Sequence, residues 1–448
     1  MRKYQKLKLS LLAMTVGLMA NTVFASGFAF MGANGSQLGN AYAGSSAEAN
    51  DASINYFNPA GLTLFDTRQV TYSTLVRFSQ VDFSGTTQWQ YLPSNALFNP
   101  FNLPGEVDSR QTNVIPAFNE AIPLNKDFAL GLSVVMPFDF SSDFSDDSAL
   151  QYAATDSSLY VVDITPGLAY QINPKWSVGA GFDAERAEFD LDYAQGFPVM
   201  PNNMNSEVEN SADGWGYSGH AGVLFQYSPD TRFGLSYHGP VNFDLSGNSQ
   251  LNGPLSQQSS ISGVIDNHFD PTLKLPSFAE FSAYHASGEH IEWLGSIDYF
   301  DWHALELNDF NVVTSVNNQI TTTTLNEPVA LKNAFRFAVG ANYIFNQHFK
   351  LLTGLAYDQG AVENNSAVNF PDNNSLAIAT GLHYELNQQF GFDVGYSHIF
   401  GLDSAPVNSL VTAYPQQVAV LGDVKRNENI IGAQITWNIG YLGVVNHT

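Results

Sequence analysis

Along most of this chain the apolar residues recur at every second position. The stretch 376–386, LAIATGLHYEL, sets Leu376, Ile378, Leu382, Tyr384 and Leu386 on one face and Ala377, Ala379, Gly381, His383 and Glu385 on the other. In 388–402, Phe390, Phe392, Val394, Tyr396 and Phe400 alternate with Gly391, Asp393, Gly395 and Ser397. In 335–345, Phe335, Phe337, Val339, Ala341, Tyr343 and Phe345 share one face. A period of two marks a strand with two unlike sides, and helical spacing fits none of these stretches.

The same pattern predicts strands near 68–83, 110–122, 127–143, 158–172, 175–192, 210–227, 231–246, 273–286, 289–303, 331–345, 348–360, 375–386, 389–401 and 425–441. Six connections are short and polar: Asn125-Lys126, Asn173-Pro174-Lys175, Ser228-Pro229-Asp230, Ser287-Gly288, Asn346-Gln347 and Asn387-Gln388. They alternate with seven long ones, near 84–109, 144–157, 193–209, 247–272, 304–330, 361–374 and 402–424. Short turns at one end, long loops at the other and an even strand count are the asymmetry of outer-membrane barrels. The expected fold is all-β, a 14-stranded antiparallel transmembrane β-barrel over 66–441, closed so that every backbone group in lipid has a partner. A secreted β-sandwich or propeller is the alternative, and it would not place aromatics at so many strand ends.

The first 25 residues read as a signal peptide, with Arg2, Lys3, Lys6 and Lys8 ahead of an apolar stretch from Leu9 to Ala20 and a Val23-Phe24-Ala25 cleavage site. That stretch is too short for a membrane-spanning helix, and no later one approaches the roughly 18 consecutive apolar residues needed. The expected location is the outer membrane of a Gram-negative bacterium. Without the leader, 17 − 4 = 13 cationic residues face 42 acidic ones, a balance that excludes nucleic acid as a partner. Charged residues make up only 13% of the chain, as expected when one side of each strand faces lipid. Cysteine is absent, which excludes disulfides and thiol chemistry. The chain ends YLGVVNHT, so Tyr441 stands in for the terminal aromatic used by the barrel-assembly machinery, and 442–448 form a short C-terminal tail.

Residues 26–65 are rich in Gly, Ala, Asn and Ser and lack strand patterning. They are either a disordered periplasmic tail or a plug (hatch) in the lumen. Asn55, Asn58 and Pro59 favour the plug, since carboxamides bond exposed backbone and proline makes a rigid corner. Here the chain resembles the FadL family of outer-membrane transporters for long-chain fatty acids and other hydrophobic compounds. The resemblance runs through Ser26-Gly27-Phe28, Leu38-Gly39-Asn40-Ala41-Tyr42-Ala43-Gly44 and the NPA signature at Asn58-Pro59-Ala60. It resumes at Leu275-Pro276 and the hairpin through Trp302, then from Ala334 through Gly401, including Thr353-Gly354-Leu355-Ala356-Tyr357-Asp358 and Asp393-Val394-Gly395-Tyr396.

The resemblance implies passive diffusion in which loops capture the substrate, a hydrophobic pocket holds it, and the plug, with Phe28, Asn55, Asn58, Pro59 and Ala60, gates it. Exit is then sideways into outer-membrane lipid through a gap beside a kinked third strand. That strand, FALGLSVVMPFDFSSDF, places Phe128, Leu130, Leu132, Val134, Met136, Phe138 and Phe140 on the lipid face and Pro137 on the inner one. Proline cannot donate to the ladder, so Pro137, followed by Phe138-Asp139 where the family has glycine, predicts either a shaping bulge or an opening. Parity turns Lys332 and Arg336 inward. A change of apolar phase in the fifth strand, from Trp176, Val178, Ala180 and Phe182 to Ala187, Phe189 and Leu191, suggests a bulge that turns Arg186 inward with Glu188 and Asp190. Arg186 and Lys332 also align with basic residues the family uses around the ligand carboxylate. The three cations either hold that carboxylate or pair with neighbouring acids.

No enzyme is expected. Ser236 and His238 share the inner face of the seventh strand, the basis of an alternative lipid hydrolase, yet they lie side by side with no third orienting group. Asp139, Asp143, Asp146 and Asp147 lack an ordered calcium loop, so neither a metal nor a cofactor is expected. No phosphate-cradling glycine motif is present. A general porin and a surface adhesin are the remaining alternatives, the second because recognition would sit on the seven long loops.

Overall fold

A computed structural model describes residues 32–92, 100–198, 205–257, 264–304, 306–307, 310–316, 319–325, 331–362, 368, 372–413 and 416–440. The expected signal peptide 1–25, Phe28, Tyr441 and the tail 442–448 lie outside the described residues.

Among the described residues, fourteen antiparallel strands form one closed sheet. They are β1 (Arg68–Tyr91), β2 (Phe101–Pro123), β3 (Phe128–Asp143), β4 (Asp156–Asn173), β5 (Trp176–Gln195), β6 (Ser206–Ser228), β7 (Thr231–His238), β8 (Phe278–Ser287), β9 (Ile291–Phe300), β10 (Ala334–Ile344), β11 (Phe349–Asp358), β12 (Ser375–Asn387), β13 (Phe390–Gly401) and β14 (Gln416–Ile439). Each pairs with its neighbour in sequence, and β1 closes on β14 from Arg68↔Ile439 to Tyr91↔Gln416. β1, β2 and β14 run well into the segments 84–109 and 402–424 expected as loops, because their ladders continue beyond the apolar alternation, whereas the seventh and eighth predicted strands are shorter than expected. The seventh ends at His238 because Gly239-Pro240 removes a donor, and Val241–Asp244 pairs instead with Thr272–Leu275 at the long-loop end. The eighth starts only after Pro276.

Local chemistry sets the tight turns. Asn125, Asn173, Asn346 and Asn387 each accept two backbone N–H bonds, from the residues two and three positions on, which fixes the reversal. The Ser287-Gly288 turn uses the positive φ of Gly288. Beside these turns, Trp176 stacks on Phe225 at 4.4 Å, Phe128 on Tyr170 at 4.7 Å and Phe390 on Trp437 at 6.0 Å. These rings belong to an aromatic girdle at one membrane interface. Above it the outward face is apolar and bare, with Val339 62% and Leu235 53% exposed, a surface suited to lipid.

The segment 32–65 fills the lumen with four short helices, Gln37–Asn40, Ser45–Glu48, Ile54–Phe57 and Pro59–Leu64. It is tied to strands all around the circumference. Thr63 Oγ1 bonds Ser177 Oγ on β5 at 2.8 Å, Ser45 Oγ bonds Glu280 on β8 at 2.6 Å, Asn40 Nδ2 bonds Asn342 on β10 at 2.7 Å, and the Gly35 amide bonds Gln434 on β14 at 3.0 Å. The barrel wall is shaped to accept it. Gly131 on β3 and Gly167 on β4 are cross-strand partners, and a Cβ on either would come within 2.1 Å of Asn55 Oδ1.

Gly131→Val and Gly167→Val are therefore expected to lift Asn55 from its seat, destabilise the fold by about 1–3 kcal/mol and raise ion conductance through the barrel in planar bilayers. Melting and conductance both equal to wild type would show that this close fit does not hold the luminal segment.

Candidate functional site

The Asn58-Pro59-Ala60 corner is built by hydrogen bonds. Asn58 is extended (φ −160°, ψ 97°), its Oδ1 accepts the Ala60 amide at 3.1 Å, and Pro59 opens the last helical turn, where a missing N–H costs nothing. The Asn58 Nδ2 donates to the carbonyls of Ser46 and Val223, at 2.8 and 3.1 Å. Asn55 Nδ2 donates to Ser133 Oγ and the Thr165 carbonyl, both at 2.9 Å. The two carboxamides thus join the luminal segment to β3, β4 and β6.

Behind Asn55 stands a buried polar group that sequence reasoning missed. His220 Nδ1 lies 2.7 Å from Asp183 Oδ1 and its Nε2 lies 3.2 Å from the Asn55 carbonyl. His220 thus bridges Asp183 on β5 and the backbone of the luminal segment. Asp183, His220 and His238 bring potential metal-ligating atoms within 4.8 Å of one another. The two imidazoles are stacked, however, 4.7 Å apart and 8° from parallel, so their in-plane lone pairs do not converge on one ion. The cluster acts as a hydrogen-bonded support. Ser236 and His238, the pair behind the hydrolase alternative, are also engaged: Ser236 Oγ lies 2.9 Å from Ser46 Oγ, and His238 stacks on Phe278 at 4.2 Å.

The structure does not bring the three expected cations together. Arg186 faces outward, 2.7 Å from Asp213 and 5.8 Å from the Trp215 ring centre. The register of β5 with β6 runs unbroken, so no bulge turns it inward, and Asp183, Glu185, Ala187, Phe189 and Leu191 form one continuous inner row. What changes along β5 is the solvent: the outer face is apolar to Phe182 and polar from Arg186 on, while the inner face does the reverse. Arg336 does face inward, but its donors are already occupied by Asp298 at 3.1 Å, Asp358 at 3.0 Å and the carbonyl of Ala41. Lys332 precedes β10 and lines a cavity of about 140 Å³ with Gly360, Asp372, Asn373 and Asp403. Arg232, also missed, holds the carbonyls of Ala47 and Glu48 and lies 4.2 Å from the Tyr284 ring centre. Its position on the inner parity of β7 was the available signal.

Pro137 breaks the wall. Pairing of β2 with β3 ends at Phe118↔Val134, and Met136 and Pro137 together stand opposite the single residue Val162 of β4. Beyond this bulge β3 keeps only β4 as a ladder partner, leaving a slit between β2 and β3. The bulge also shifts the phase. Phe138 and Phe140, expected on the lipid face, turn inward and join an apolar cluster with Leu159, Val161, Ala187 and Phe189. Asp139 and Ser141 take the opposite face and meet Arg77 on β1 and Asn113 on β2.

Since Arg336 is buried between two carboxylates, Arg336→Met should cost about 3–5 kcal/mol, read as a lower thermal transition of the detergent-solubilised barrel. Arg186→Ala, whose pair is roughly half exposed, should cost less than about 1 kcal/mol. Equal losses would contradict these placements.

Known proteins place this architecture. Residues 16–438 match the family model described as outer membrane protein transport protein (OMPP1/FadL/TodX). A long-chain fatty acid transport protein of Escherichia coli O6:H1 is 26% identical over 424 residues, covering 88% of this chain and 91% of the relative. Outer membrane protein P1 of Haemophilus influenzae is 25% identical, over 89% and 91% of the two chains. Among solved structures, a Pseudomonas aeruginosa FadL homologue superposes with a TM-score of 0.76 at 18% identity, covering 92% of this chain and all of the other. The Pseudomonas putida toluene transporter TodX gives 0.66 at 15%, over 92% and 99%. With its closed fourteen-stranded barrel and a family match over nearly its whole length, this chain belongs to the OMPP1/FadL/TodX family of outer-membrane transport proteins.

Proposed function

We propose that this protein carries long-chain fatty acids, or similar hydrophobic small molecules, across the outer membrane by passive diffusion and without catalysis. The observation that carries the reading is the coincidence of the β2–β3 slit with the apolar cluster behind it: Phe138 and Phe140 belong to that cluster and lie on the very strand that leaves the wall. An apolar ligand is held by burial against such side chains, at about 25 cal/mol per Å² of apolar surface removed from water.

In this reading the long loops capture the ligand, residues 26–65 are the gating plug, and exit is lateral, into outer-membrane lipid. Asn55, Asn58, Pro59 and Ala60 fix the plug to the wall, and Phe28 keeps the gating role that the family resemblance implies for it. Of the three cations expected at the ligand, Lys332 is retained as a first contact at the loop end. Arg336 serves the plug and Arg186 faces away. The barrel-assembly machinery is the partner required for insertion, and the aromatic girdle is the contact with lipid.

Cells lacking their own transporter should take up a labelled long-chain fatty acid when this protein is present in their outer membrane. A folded barrel without uptake would redirect the reading to another hydrophobic substrate or to an adhesin. Replacing Asn58-Pro59-Ala60 by three glycines should change the uptake rate severalfold; an unchanged rate would remove the plug from the gate.

A further inference from the structure

The slit between β2 and β3 is closed by side chains where the backbone ladder is missing. An Arg77 Nη2 donates to the Asp139 carbonyl and lies 3.3 Å from the Asp139 carboxylate. Asn113 Nδ2 donates to Asp139 Oδ1 at 2.6 Å and to Ser141 Oγ at 3.1 Å. Further along, the Asp143 amide donates to Ser109 Oγ at 2.8 Å. Arg77 and Asp139 are both buried, with side chains 5% and 1% exposed. The outer face of the bent β3 thus lies against the inner face of β1 and β2, held there by an ion pair.

We propose that Arg77, Asn113 and Asp139 form a clasp across the slit that a ligand carboxylate opens by exchange, so that the exit selects acidic amphiphiles over neutral hydrocarbons. The proposal rests on the transport reading above and names the substrate chemistry its exit favours. Separating a buried ion pair leaves two unpaired charges, which strongly opposes opening for a ligand with no charge to offer. A carboxylate reaching Arg77 takes over the place of the Asp139 carboxylate on the guanidinium fork, whose geometry suits either. The guanidinium thus stays paired while the strand moves, and Asp139 is the one charge that changes its partner, whereas a ligand without a charge leaves both groups unpaired. The other face of the same strand carries Phe138 and Phe140, so a ligand headed by a carboxylate at Arg77 has apolar side chains beside it for its tail. A hydrocarbon fits that face and has nothing with which to open the clasp.

The test compares oleate with oleyl alcohol, which share a tail and differ in the head, in cells lacking their own transporter. The wild type should favour oleate. Arg77→Gln should lower oleate uptake about tenfold, the equivalent of about 1.4 kcal/mol, and abolish the preference, while Arg77→Lys should restore part of it. Asp139→Asn, which removes the charge that locks the slit, should raise oleyl alcohol uptake severalfold. In the wild-type protein, which avoids any folding defect of the variants, oleate but not oleyl alcohol should speed hydrogen exchange of the amides in 135–143. A wild type that carries both compounds, with the variants scaling both uptakes equally or with exchange indifferent to the head group, would overturn the clasp alone. A folded wild type that carries neither would overturn the transport reading and this inference with it.

Discussion

Every strand in this wall must satisfy its backbone N–H and C=O groups without water, and in a bilayer the only sheet that does so is a closed one. The pairing of β1 with β14 over 24 residues completes that closure, and all other features of the molecule are adjustments within it. Among the described residues the largest break in that ladder lies between β2 and β3. Proline supplies no N–H for a ladder, the bulge at Met136-Pro137 ends pairing with β2, and beyond it the charges of Arg77 and Asp139 replace backbone bonds. Side chains can exchange partners where a ladder cannot. The slit therefore lies where the wall depends on the contacts easiest to trade.

Closure creates a lumen, and the luminal segment fills it at some cost in backbone strain. Ala41, Tyr42 and Ala49 adopt φ of 50°, 55° and 46°, a region disfavoured for residues with a Cβ, at about 1–3 kcal/mol each. The surroundings over-determine these positions. Arg336 holds the Ala41 carbonyl, the Tyr42 hydroxyl donates to the Asn34 carbonyl at 2.9 Å, and Arg232 holds the carbonyls of Ala47 and Glu48 just before Ala49. Both guanidinium clamps thus fall at the strained turns. Burial also raises the Glu48 carboxyl above its usual range, with the nearby Lys350 opposing the rise. These clamps add to an apolar cluster in which Leu38, Ile54, Phe57 and Leu62 share a core with Leu75, Ile115 and Ala129 of the wall, so the charged contacts fix the strained turns while burial holds the segment as a whole.

Strand number, turn positions and the tight-turn asparagines were legible because each depends on neighbours in sequence: a period of two, an Asn, a Gly or a Pro. The seat of Asn55 and Asn58 was legible as chemistry but not as geometry, since its acceptors lie on strands far along the chain. Arg336 was correctly turned inward by parity, yet its partner Ala41 lies 295 residues away, and nothing local distinguishes a clamp from a ligand contact. Arg186 was misread for a physical reason. The apolar side of a strand was taken to be the lipid side over its full length, and that holds only within the hydrocarbon layer. Arg77 went unnoticed because its partner reaches it only after β3 bends.

The inversion along β5 falls at the height of the β3 bulge. On β4, the outward residues Leu168, Ile164 and Val162 are apolar and exposed, whereas Thr165 and Asp163 on the inner face are polar and buried. One residue further on the roles exchange: Val161 and Leu159 face inward in the apolar cluster, while Tyr160 lies on the outer face. On β5 the exchange falls at the same level, since Val161 pairs with Ala187 and Val162 with Arg186. The β3 bulge stands opposite Val162, at that level too. In the lateral exit proposed above, a hydrophobic molecule would pass at this level from the apolar cluster to the apolar outer surface. Placed lower, an exit would begin at a polar lumen; placed higher, it would end in water. Between the two apolar surfaces lie Arg77, Asn113 and Asp139, so on the exchange proposed above the barrier to leaving is one of charge more than of path length.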